Sequence, residues 1–76
     1  MNKYYFTFGM NQQTKGGMSL GNHYVCIEAR HPWDARFEML DARGSSWSFC
    51  YTEEEFAGQP EKYGLKSISL DEVRIR

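Results

Sequence analysis

Four side chains in this sequence could hold a soft metal: His23, Cys26, His31 and Cys50. Zinc sites present two close ligand pairs at recognisable spacings. His23 and Cys26 stand three apart in a segment that alternates as a strand does, so they point to opposite faces. The spacing argues against a metal centre. Cys50 would need a base held against it and a lowered pKa to act as a nucleophile. Flanked by Phe49 and Tyr51, it shows neither. Gly16, Gly17 and Gly21 invite comparison with a phosphate cradle, but such a loop runs from a strand into a helix with Lys before Ser or Thr. This one runs into a strand. The sequence therefore predicts no catalytic residue, no metal and no cofactor.

The remaining chemistry belongs to surfaces. In Thr52-Glu53-Glu54-Glu55 the first and last residues match a capping box, each satisfying a backbone donor of the other. That leaves Glu53 and Glu54 facing solvent, able to form an acidic contact patch beside Asp71 and Glu72. Met10, Met18 and Leu20 supply apolar atoms in a glycine-rich stretch, and methionine adapts to irregular partner surfaces. Tyr5 and Tyr24 face outward from their strands, either as a cross-strand pair or as part of an exposed aromatic interface. These nine residues are the candidate partner contacts. Arg36, Arg43, Arg74 and Arg76 suggest phosphate contacts, but acids intervene on the surrounding turns and no basic stripe forms.

Lys3–Phe8 alternates, with Tyr4, Phe6 and Phe8 on one face, and reads as a strand. Residues 9–22 lack periodicity and read as a mobile loop at the tip of a hairpin, long enough to be functional. His23–Ala29 is the second strand, with Val25 and Ile27 inward. A helix follows, with Pro32 in its first turn, Asp34 and Arg43 matching its dipole and Gly44 closing it. Trp33, Phe37 and Leu40 at i, i+4 and i+7 are its expected core stripe. Ser46–Tyr51 reads as a third strand with Trp47, Phe49 and Tyr51 on one side. A short helix from Glu53 to about Gly58 carries a staple between Tyr51 and Phe56, and Pro60 opens one more turn closed by Gly64. Leu65–Arg76 reads as a final strand with a bend at Asp71-Glu72. The order β-β-α-β-short α-β predicts one α+β domain over residues 1–76. Its sheet of about four strands is mostly antiparallel, with one main helix on one face.

Seventy-six residues with five Tyr, five Phe and two Trp give a small domain the efficient core-formers it needs. A net charge of −1 gives no general pull toward nucleic acid or anionic membrane. No apolar run reaches the length of a membrane span, and Met1–Phe6 lacks a signal peptide's apolar region. A cytoplasmic setting is expected, with Cys26 and Cys50 as reduced, buried thiols.

The blocks Lys3-Tyr4-Tyr5-Phe6-Thr7-Phe8-Gly9, Tyr24–Ala29, Ala35-Arg36 with Met39, and Trp47–Phe56 resemble a group of small proteins encoded by bacteriophages, prophages and mobile elements. The resemblance runs from residue 3 to about residue 65. It carries no catalytic residues and implies a setting: a small domain in a bacterial host cell, anti-CRISPR-like in size and character. Such a domain would bind a host protein or ribonucleoprotein complex and block it sterically. The alternatives are a nucleic-acid-binding accessory protein and a homo-oligomeric structural module.

Overall fold

A computed structural model describes residues 1–76. Alternation in the first two segments does what the sequence predicts. Strands β1 (Asn2–Thr7) and β2 (His23–Ala29) pair antiparallel, with Tyr4 opposite Ile27 and Phe6 opposite Val25. Strand β3 (Phe49–Thr52) pairs antiparallel with the other edge of β1. The two-residue β4 (Lys66–Ser67) lies parallel to β2. The sheet is thus mixed, in the order β3-β1-β2-β4, and mostly antiparallel. The helices are α1 (Pro32–Arg43), α2 (Glu53–Phe56), α3 (Gln59–Tyr63) and α4 (Leu70–Val73). None is long and apolar enough to cross a membrane.

One face of the sheet carries the main core, where Tyr4, Phe6, Val25 and Ile27 meet Ala35 and Met39 of α1 and Val73 of α4. Helix α1 begins with Pro32 and ends where Gly44, at φ +64°, turns the chain and donates its N–H to Leu40 O at 2.7 Å. The expected stripe of Trp33, Phe37 and Leu40 is not the buried one: these residues are 57%, 63% and 39% exposed. The helix instead buries Ala35, Met39 and Ala42, again at i, i+4 and i+7. The sheet already presents large aromatic rings, so the facing layer must present small groups to interdigitate. Ala35 and Ala42 allow that close approach, whereas a Trp–Phe ridge would hold the helix off.

Three further readings are corrected. Trp47, Phe49 and Tyr51 do not share a side. Trp47 sits edge-on to Phe6 on the core face (centroids 5.1 Å apart), Cys50 packs beside the core, and Phe49 and Tyr51 lie on the opposite face. A tight turn, with Trp47 N–H on Ser45 O at 2.9 Å, resets the parity before β3 starts. The C-terminal segment is not one strand. After β4, Ser69 Oγ accepts the Glu72 N–H at 3.2 Å and opens α4, so Leu70 and Val73 are joined by a helical turn rather than a bent strand. Ile75 and Arg76 both donate their N–H groups to Ala42 O. The thiols are not both buried: Cys26 is exposed and Cys50 half-buried.

The second face of the sheet has its own small layer. The capping box forms as read, with Thr52 N–H on Glu55 Oε1 (2.8 Å) and Glu55 N–H on Thr52 Oγ1 (3.2 Å). It launches α2 across the sheet so that Phe56 is buried. Its ring stacks on Tyr5 at 4.6 Å and lies 5.1 Å from Tyr24 and 5.6 Å from Tyr51, the last being the expected staple. Gly64, left-handed, closes α3 as read.

Candidate functional site

The residues singled out in the sequence fall into separate places. Leu20 is fully buried and belongs to the core, so it is not a partner contact. It anchors a loop that builds its own short ladder: Thr14 N–H on Met18 O at 2.8 Å and Leu20 N–H on Gln12 O at 2.8 Å. An apolar residue closing the ladder toward β2 gives the glycine-rich segment a packed foot. Met10 and Met18 remain exposed. Met10 lies over Gly21, where an added Cβ would meet its sulfur at 2.7 Å.

The four acids do not make one patch. Glu53 and Glu54 open α2, which covers the Tyr5–Tyr24 face through Phe56. Asp71 and Glu72 open α4, whose Val73 is in the main core on the other face. Asp71 is also paired with Arg74 at 3.6 Å, and Arg74 reaches Asp41 at 3.5 Å. Tyr5 and Tyr24 are half-buried partners of Phe56, 5.9 Å from each other, and still border a hollow beside α2.

The cationic set breaks up as well. Arg43 is 3% exposed. It donates from Nε to Ser46 O (2.8 Å) and from Nη1 to Gln13 O (3.0 Å) and Val73 O (2.8 Å), lying 5.3 Å from the Phe8 ring centroid. Burial lowers its pKa from the ordinary guanidinium value. It ties the fold together and is not available to phosphate. His23 Nδ1 and Trp47 Nε1 are buried without a hydrogen-bond partner, and no three of His, Cys, Asp and Glu cluster.

Three groups on the sheet hold their protons more tightly than usual. Burial raises the Cys50 thiol, with Arg36 opposing. Burial also raises Cys26, with the Tyr5 hydroxyl and Lys3 opposing. Tyr5 is raised by burial and then by Cys26 and Glu53. A raised folded pKa gives stability that is complete below the ordinary value and lost as pH climbs through the folded one. Unfolding free energy measured in urea across a pH series is therefore expected to fall above about pH 9, the ordinary thiol value. A double Cys26→Ser, Cys50→Ser variant should flatten the onset, and an unchanged slope would refute the assignment.

The surface that sequence reasoning missed is the outer side of α1. Trp33, Phe37 and Leu40 form an apolar ridge facing away from the sheet, with His31 stacked on Trp33 at 4.9 Å. On a helical wheel Asp34, Glu38 and Asp41 flank it on one side and Arg36 on the other. The available signal was the second i, i+4, i+7 set, Ala35, Met39 and Ala42, which competes for the core. Comparison with protein-family models, with curated proteins and with solved structures finds no match to this chain.

Proposed function

We propose that the chain is a non-enzymatic binding module that docks α1 into an apolar cleft of a protein partner. The observation that carries this reading is the Trp33–Phe37–Leu40 ridge, three large side chains left out of the core at the spacing of a helix-in-groove anchor set. Trp is enriched among the residues that dominate binding energy. A standard interface of about 800 Å² per partner would take about a sixth of the 4917 Å² surface.

Charge favours a different protein over a second copy. Two α1 helices packed antiparallel about a twofold axis would set each acidic flank of Asp34, Glu38 and Asp41 against its own copy, which is repulsive. A cleft rimmed by Lys or Arg suits the same flank. The resemblance to mobile-element proteins makes a bacterial defence complex the first partner to test, with steric blockade as the mechanism. The nucleic-acid alternative is weakened because Arg43 and Arg74 are already engaged.

The test is recovery of partners with the tagged chain from a bacterial host carrying active defence systems, alongside phage plating. A folded Trp33→Ala, Phe37→Ala variant is expected to lose binding by about thirtyfold, taking about 2 kcal/mol for an anchor of this kind. Full recovery with the variant would exclude α1 as the docking face. Unchanged plating despite clean recovery of a partner would exclude defence inhibition.

A further inference from the structure

On the face of the sheet away from α1, strands β1 and β2 and helices α2 and α3 border a hollow of about 220 Å³. Three aromatic residues line it, Tyr5, Tyr24 and Phe56, together with the acidic residues Glu53 and Glu61. Tyr5 and Phe56 stack nearly parallel, at 11°, and Tyr24 is tilted 57° to Tyr5 and 60° to Phe56, so Tyr24 stands as a wall against a two-ring stack. The ion pairs of the fold join Arg74 to Asp41 and Asp71, and neither Glu53 nor Glu61 takes part in them. No Lys or Arg lines the hollow.

That lining selects for positive charge. Aromatic faces attract a cation within about 6 Å, and a carboxylate strengthens its hydrogen bonds when the donor is charged. An anion would meet two carboxylates, and an apolar group would desolvate them without a partner. The volume lies below the roughly 300–1,000 Å³ of small-molecule sites, which suits one head group rather than a whole ligand. Glu53 also helps to raise the Tyr5 pKa, so its charge is felt at that ring.

We propose that this hollow receives an Arg or Lys side chain of a protein partner. The inference rests on the binding-module reading but not on α1, which lies on the other face, so the two can fail separately.

The experiment is an NMR titration of the isotope-labelled full chain at constant ionic strength. The probes are N-acetyl-arginine amide, N-acetyl-lysine amide, N-acetyl-norleucine amide and tetramethylammonium chloride. Saturable shifts at Tyr5, Tyr24, Glu53 and Phe56 are expected with the arginine or lysine amide and not with norleucine amide. Glu53→Gln and Glu61→Gln, both at exposed positions, should each weaken binding about two- to fivefold, while Glu38→Gln on α1 should not. Absence of shifts, shifts spread over all acidic surfaces, or equal response to norleucine amide would each overturn the proposal. Tighter binding of tetramethylammonium than of either amide would assign the hollow to a free organic cation and overturn the protein-side-chain reading.

Discussion

Replacing Arg43 with Met is expected to lower the free energy of unfolding by about 2–4 kcal/mol. The guanidinium bonds three backbone carbonyls from three places: Ser46 just past α1, Gln13 in the 9–22 loop, and Val73 at the end of α4. Methionine fills much of the space but donates nothing. Each carbonyl left unpaired costs about 1–3 kcal/mol, offset in part by no longer burying a charge. Arg43→Lys should recover only part of the loss, because one ammonium cannot reproduce the fork that spans separate acceptors. Linear extrapolation from urea unfolding measures the effect. Amide exchange should quicken first in the 9–22 loop and α4, the two segments this side chain fastens. A variant within about 0.5 kcal/mol of the parent would show that these bonds are replaced by water at no cost.

Met39→Ala is expected to cost about 2–5 kcal/mol, the range for emptying a fully buried position, whereas Trp33→Ala should cost less than about 1 kcal/mol. Hydropathy and size alone would order them the other way. Met39 is completely enclosed between α1 and the sheet, and its removal leaves a cavity that Ala35 and Ala42 cannot fill. Trp33 is 57% exposed and stacks on His31. Thermal or urea unfolding of the two single variants decides the matter. If Trp33→Ala proved the more damaging, the helix would be seated on the other face and the docking ridge would not exist.

What the sequence made legible was local. Strand alternation in Tyr4–Phe6–Phe8 and Val25–Ile27, the Pro32 and Gly44 ends of α1, and the Thr52–Glu55 box depend on neighbours within a few residues, and each forms as read. Which side of α1 turns inward depends on what the sheet offers across the gap, and that is set by residues far away in the chain. The two faces share one spacing, so periodicity could not choose between them. Leu20 reads as loop surface because its burial comes from joining the core cluster rather than from any pattern nearby. Ser69-x-x-Glu72 has the spacing of Thr52-x-x-Glu55 but forms only half of the box, Glu72 Oε1 accepting from the Ser69 hydroxyl rather than its backbone N–H, and its alternating neighbours masked it. Of the contact residues proposed from sequence, Met10 and Met18 are exposed and Tyr5, Tyr24 and Glu53 gather around one hollow. The α1 ridge required knowing what the core had left unused.

The order β3-β1-β2-β4 also bears on how quickly the molecule assembles. Its earliest strand is an interior one, so β1 can zip against β2 once the loop closes but keeps a bare edge until Tyr4 meets Thr52. Pairings so distant along the chain must gather much of the polymer before they return any energy, which slows the search. During synthesis, that naked flank of Tyr4–Thr7 is the stretch most open to mispairing with a neighbouring chain.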